Sequence, residues 1–159
     1  MNYPPRQSNF KDVLDFHLKF RVPIADRPSL LDADAQQFRE KFLMEEYTEF
    51  VESYRQEDLE GCADALVDLV YIAMGTAVIM GLPWQELWDR VQAANMTKRL
   101  AKPDGSDSKR GNPLDVVKPP GWVGPNHTDL LGLTVAGKWP TFDATTAVQL
   151  LAQSVRTST

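Results

Sequence analysis

The chain has 159 residues, 43% of them apolar and 25% charged, which is enough for one domain with a core, or a domain plus an extension. Its net charge of −5 argues against a general nucleic-acid binder. A single cysteine, Cys62, excludes an intramolecular disulfide framework and a cysteine-based zinc site, and fits a reducing cytoplasm.

The first stretch, MNYPPRQSNFKDV, is polar and carries no secretory signal. From Asn9 the pattern changes. Phe10, Val13, Leu14, Phe16, His17 and Phe20 fall at helical spacings, with Ser8 or Asn9 as N-cap. The two prolines of RVPIADRP end that helix. A second helix should start near Asp32 or Asp34 and run to about Gln56. Phe38, Phe42, Leu43, Tyr47, Phe50, Val51 and Tyr54 make its apolar face, and a second face carries Glu45, Glu46, Glu49, Glu52 and Ser53. Residues three or four apart are neighbours on a helix, so Glu45, Glu46 and Glu49 crowd one another, with Arg39 and Lys41 as candidate counterions.

Asp58 can cap a third helix, which from Cys62 to Met80 is almost wholly apolar and should be covered on most sides. The run from Leu66 to Met80 is short and has two carboxylates near its start, so it reads as a core helix and not a membrane span. Those carboxylates, Asp64 and Asp68, lie i,i+4 on one face, where burial without a partner would be costly. Gly81 ends this helix as its C-cap. Pro83 suits the first turn of a fourth, with Trp84, Leu87, Trp88, Val91 and Ala94 on its core side and a polar, basic end at residues 95–99. KPDGSDSKRGNP is loop, VVKPPGW is extended, residues 134–140 are irregular or a short strand, and residues 143–155 suit a short terminal helix capped by Asp143. The expected organisation is a helical domain over 8–98 and a loop-rich extension over 99–159. There is no βαβ pattern and no GxxxxGK[ST] loop.

Two antiparallel helices facing each other would bring the acids of the second and third helices together. Such a hard-oxygen set suits Mg²⁺, or Mn²⁺ in its place, because the facing positions offer neither His nor Cys. Lys98, Arg99 and Lys118 can neutralise polyphosphate charge, and Phe16, His17 and the tryptophans can stack on a base. The residues thus point to metal-dependent hydrolysis of a nucleoside polyphosphate. Bland alternatives stand beside that. EExxE is more often a solvated face, and Asp64 and Asp68 can ion-pair with Arg39, Lys41 or Lys98. His17 can be a packed histidine, Asn95 and Lys98 a helix C-cap, and Trp84 and Trp88 core residues.

LMEEYTEFVES resembles the EExxE helix of the all-α NTP pyrophosphohydrolases, the MazG-like superfamily. That superfamily includes dimeric dUTPases, dCTP pyrophosphatases and phosphoribosyl-ATP pyrophosphohydrolase. The likeness extends to an FHxxFxxP element at Phe16 to Pro23, to ADxLxDLxYxxxGTA at Ala63 to Ala77, to NMxK at Asn95 to Lys98, and to KPxGW at Lys118 to Trp122. These motifs, in order, span about residues 12–122, and the likeness is greatest to phage and bacterial MazG-like members.

The resemblance implies an all-α, four-helix MazG-like bundle, oligomeric as a homodimer or homotetramer, with a long irregular C-terminal extension. It implies Mg²⁺-dependent cleavage of a nucleoside triphosphate, in the first place a dNTP, between the α and β phosphates. The products are a monophosphate and pyrophosphate, and the role is nucleotide-pool control. It places the enzyme in the cytoplasm, the host's if phage-encoded, with neither membrane nor nucleic acid as partner. Glu45, Glu46 and Glu49 map onto the first metal-binding set, with Glu46 and Glu49 helping the attacking water. The second set is usually ExxD. Aligned on LVYIAMG, its Asp falls on Asp68 and its Glu on Ala65, so Asp64, one residue earlier, is the candidate replacement. Asn95, Lys98, Lys118 and Trp122 match positions expected to contact sugar or phosphate, or to close over the nucleotide. A member of this family that binds nucleotides with little or no hydrolysis is the alternative.

Overall fold

A computed structural model describes residues 8–133, so the expected irregular segment 134–140 and the terminal helix from Asp143 lie outside the described residues. The fold class is the expected all-α one. Four helices, α1 (Asn9–Lys19), α2 (Ala33–Arg55), α3 (Leu59–Ile79) and α4 (Trp84–Met96), precede a loop-rich stretch. That stretch contains one short antiparallel pair, β1 (Arg99–Leu100) with β2 (Val116–Val117), in which Arg99 faces Val117 and Leu100 faces Val116.

Local chemistry sets the helix ends. The side chains of Ser8, Asp32 and Asp58 accept from the backbone N–H of Lys11, Ala35 and Gly61. Each such cap stabilises its helix by about 1 kcal/mol. α3 closes with Gly81 one residue beyond the cap Met80, at φ 64°. Gly81 N–H donates to Val78 and Leu82 N–H to Ala77, the paired bonds of a Schellman end. The segment between α1 and α2 is tied to that end, with Ala25 N–H on Ile79 and Ser29 N–H on Met80. A Cβ on Gly81 would stand 2.6 Å from the carbonyl oxygen of Ala25, so glycine is required by space as well as by φ.

The described chain divides into two units, residues 8–84 and 85–133. The sequence-based boundary at 98/99 separates helices from loops, whereas contacts group most of α4 with the loops that follow it. In the first unit α2 and α3 share the most extensive contact, and α1 lies against α3. The three-residue link 56–58 makes α2 and α3 antiparallel neighbours. Val13, Met74 and Val78 form the core, ringed by Phe10, Leu14, Ile24, Tyr71 and Trp84. Phe10 and Trp84 stack at 5.8 Å. In the second unit Arg90, Arg99 and Arg110 pair with Asp129, Asp107 and Asp115.

Two expectations about burial are corrected. α3 is not covered on most sides: Ala65, Met74, Gly75, Ala77 and Val78 are buried, but Leu66, Val67 and Val70 are 49–64% exposed. α1 and α2 occupy part of its circumference, and nothing else described in this unit covers the side bearing those three. By length and composition alone α3 could cross a membrane, and part of its surface packs against α1 and α2. α4 buries no residue completely, and Trp88 is 53% exposed. Only Trp84 belongs to the first unit's core, and the second unit is held mainly by polar loop bonds that offer α4 little apolar cover.

Candidate functional site

Glu45, Glu46 and Glu49 lie within one turn of α2, and Asp64 and Asp68 one turn apart on α3. Their common centre is Glu46, which is half-buried while Glu45 and Glu49 are exposed. Its carboxyl is held above the ordinary range, first by desolvation and then by the charges of Glu49, Asp68, Glu45 and Asp64, in that order. All five predicted metal ligands therefore meet electrostatically around one side chain.

The two α3 acids are not equivalent. Asp68 is half-buried and acts on Glu46 more strongly than Asp64 does. Asp64 is exposed and lines an open recess with Asp58, Glu60, Ala63 and Val67. This corrects the expectation that both sit on a buried face. Ala65, at the position of the family's glutamate, is 2% exposed. Among the described residues neither Asp64 nor Asp68 pairs with Arg39, Lys41 or Lys98. Nor, as their side chains are placed, do three or more His, Cys, Asp or Glu of the described residues gather closely enough to hold a metal ion. Mutual repulsion keeps unneutralised carboxylates apart, and the donor set itself, carboxylate oxygens on two facing helices, is the kind that hard divalent cations take.

Arg39 does not serve the acids. Its Nε donates to Thr76 Oγ1 at 2.9 Å and its Nη2 to the Ile72 carbonyl at 2.6 Å, while its guanidinium lies 5.6 Å from the Phe42 ring centre. Burial pushes its pKa down, and no carboxylate pairs with it among the described residues. It instead lines a cavity of about 630 Å³ with Phe16, His17, Ile24, Leu31, Phe38, Phe42 and Ile79. His17 is 4% exposed, and its Nδ1 lies 2.7 Å from the Val13 carbonyl. A carbonyl only accepts, so Nδ1 donates to it, and in the neutral ring Nε2 is then an acceptor. Gly75 makes room for both polar side chains: a Cβ there would stand 2.9 Å from His17 Cε1 and 3.1 Å from Arg39 Nη2.

The second unit gathers Lys98, Lys118 and Trp122. Trp122 Nε1 donates to Thr97 Oγ1 at 2.9 Å and the Ala94 carbonyl at 3.2 Å, which fixes the indole at the end of α4. Lys98 Nζ lies 5.5 Å and Lys118 Nζ 4.5 Å from its ring centre. Neither ammonium ion-pairs among the described residues. Asn95 is exposed, and its carbonyl accepts from Lys98 N–H in the closing turn of the helix.

Sequence reasoning passed over Phe38, Arg39, Phe42 and Gly75 as site residues. The signal was present in part: 35, 38, 39, 42, 46 and 49 form one continuous stripe of α2, so the cavity wall runs directly into the acid face. Gly75 stands in the sequence only as the glycine of ADxLxDLxYxxxGTA, and its role here depends on side chains from two other helices.

Comparison with known proteins adds one finding. The model of the family described as PRA-PH, phosphoribosyl-ATP pyrophosphohydrolase, matches residues 13–95, more than half of the chain. The match takes in every predicted metal ligand, Phe16, His17 and Asn95, and stops short of Lys98, Lys118 and Trp122. No curated protein matches the chain.

Proposed function

The chain belongs to the phosphoribosyl-ATP pyrophosphohydrolase family, within the all-α NTP pyrophosphatase superfamily, and from that premise we propose that it hydrolyses a deoxynucleoside triphosphate between the α and β phosphates. Membership makes it a nucleotide pyrophosphohydrolase. The proposal is the finer part: a dNTP as substrate, Mg²⁺ dependence and nucleotide-pool control. The observation that carries it is the convergence of Glu45, Glu49, Asp64 and Asp68 on Glu46, with no cation from the described residues paired to any of them.

Glu45, Glu46, Glu49 and Asp68 would hold Mg²⁺, or Mn²⁺ in its place, with Asp64 as an outer member. Bound there, the metal supplies neutralisation of phosphate charge. Glu46 and Glu49 orient a water and take its proton as its oxygen bonds to phosphorus. The P–O bond to the bridging oxygen breaks, pyrophosphate leaves, and a nucleoside monophosphate remains. Lys98, Lys118, Trp122 and Asn95 would meet the phosphates and sugar, and Phe16 and His17 the base. Three exposed apolar side chains on α3, Leu66, Val67 and Val70, support a homodimer or homotetramer, which light scattering on the purified protein measures directly.

The test is phosphate release with added inorganic pyrophosphatase, over a dNTP panel with Mg²⁺. Turnover of at least one dNTP is expected, with pyrophosphate as co-product. The buried Ala65 favours a second reading, a family member that binds nucleotides with little or no hydrolysis. Binding without turnover on any nucleotide would establish that one instead.

A further inference from the structure

The cavity beside α2 has a composition that packing alone does not require. Its walls are apolar, with the rings of Phe16, Phe38 and Phe42 among aliphatic side chains, and its volume of about 630 Å³ is that of a small-molecule site. Phe38 is 54% exposed and so is not filling a core. Two polar groups converge in it. His17 is 96% buried by its 4% exposure, with Nδ1 spent on Val13 and Nε2 without a hydrogen-bond partner among the described residues. Arg39 carries a charge with no carboxylate partner, and its Nη1 makes no hydrogen bond among the described residues. Thr76 and Ile72 do not need it, because Thr76 Oγ1 already donates to the Ile72 carbonyl at 2.8 Å.

We propose that this cavity holds the nucleobase, and that His17 Nε2 and Arg39 read its edge, the first accepting and the second donating. The inference rests on the hydrolase reading for the identity of the ligand, and on the cavity's own geometry for its chemistry. Position supports it: Arg39 precedes Glu46 by seven residues on the same stripe of α2, about 10 Å of helix rise. A base against Arg39 and Phe42 thus leaves its phosphates over the acid face. Chemistry narrows the class. A group meeting Nε2 must be an N–H, and guanidinium donors favour a carbonyl oxygen, so the base carries an oxo group and an N–H or amino group on one edge. Uracil, thymine, cytosine and guanine qualify, and adenine, which has no oxo group, does not. Gly75 makes the arrangement possible, since any side chain there would displace both readers.

The experiment is calorimetric titration, without metal, of the 5′-monophosphates of deoxyuridine, deoxycytidine, deoxyguanosine and deoxyadenosine into the full chain and into Arg39→Gln, His17→Phe and Phe38→Ala. Inorganic triphosphate with Mg²⁺ serves as a parallel probe of the acid face. At least one oxo-base nucleotide should bind better than deoxyadenosine monophosphate. Arg39→Gln should weaken it about tenfold, the usual loss of a charge-assisted hydrogen bond. Phe38→Ala, at a half-exposed position that tolerates truncation, should weaken every nucleotide, and triphosphate binding should stay at the wild-type level in all three. Unchanged nucleotide affinity in Arg39→Gln and Phe38→Ala overturns the proposal, as does preference for adenine or no monophosphate binding by the wild type. If nucleotides bind through Arg39 but no triphosphate is turned over, the pocket stands and the hydrolase reading fails. If turnover occurs while the pocket variants bind normally, the reverse holds.

Discussion

The two units treat charge in opposite ways. In residues 85–133 each of the three arginines has an aspartate, and Asp107, Asp115 and Asp129 are held below the ordinary carboxylate range, Asp129 at about 2 through its hydrogen bonds with Arg90. In residues 8–84 four acids stand around Glu46 with no cation paired to them among the described residues, and Glu46 is held above that range. Pairing of the first kind organises loops that have little apolar surface to bury. Crowding of the second kind opposes folding, and is the kind of arrangement that a bound cation would relieve. The same contrast runs through the basic residues of the second unit: its arginines are spent on structure, while Lys98 and Lys118 lie over Trp122 and keep their charge available.

The contrast breaks most sharply if the crowded acids prove dispensable. Glu46→Gln and Asp68→Asn should each lower turnover at least 100-fold, as the loss of a general base or of its electrostatic setting does, while circular dichroism stays that of the wild type. Asp64→Asn should cost about tenfold, the scale of an outer partner, because Asp64 is exposed and acts on Glu46 most weakly of the four. Equal losses at 64 and 68 would make Asp64 a full replacement for the family's glutamate.

Next comes the proposed cation. Mg²⁺ at about 100 times its dissociation constant should stabilise the folded chain by about 2.7 kcal/mol if it binds only the folded state. Thermal unfolding of the wild type and of Glu46→Gln, with and without Mg²⁺, measures this. A wild type indifferent to Mg²⁺ would return the acid face to plain solvated surface. A smaller effect belongs to the second unit: Lys118→Ala should raise KM for the triphosphate up to about tenfold with kcat little changed, whereas Arg110→Ala, whose charge is already paired with Asp115, should leave KM alone.

Most of the helical frame was legible because its signals are local. Ser8, Asp32 and Asp58 cap within three residues of themselves, and Gly81 ends α3 through its own φ. What needed three dimensions was less legible. The apolar pattern of α3 marks it as a helix covered on most sides but cannot say which side α1 and α2 reach, nor that Leu66, Val67 and Val70 are the residues left exposed. Arg39 looked like a counterion because charge attracts charge in a sequence. Its partners, Thr76 and Ile72, are uncharged and more than thirty residues away. The acid face was found because its residue types are unusual, and the aromatic cavity beside it was missed because Phe38 and Phe42 look like any helix's apolar side.

The smallest effect separates the two kinds of charge by sign. Glu46 has a folded-state pKa raised above its ordinary 4.5. The repulsion around it is therefore absent below about that pH and sets in as pH rises through the raised value, so in metal-free protein α2 and α3 should be better protected at about pH 4.5 than at neutrality. Asp129 behaves oppositely, since the stability from its bonds with Arg90 is complete above its ordinary 3.8 and is lost as pH falls toward about 2. Amide hydrogen exchange read separately over 33–79 and 85–133 should thus move in opposite directions on acidification, at different pH. Glu46→Gln should remove the first trend, leave the second, and stabilise the metal-free chain at neutral pH by a few tenths of a kcal/mol, about the size of one exposed like-charge pair. A Glu46→Gln chain less stable than the wild type without metal would mean that Glu46 is held by attraction, and that the acids of α2 and α3 are structural in the way those of the second unit are.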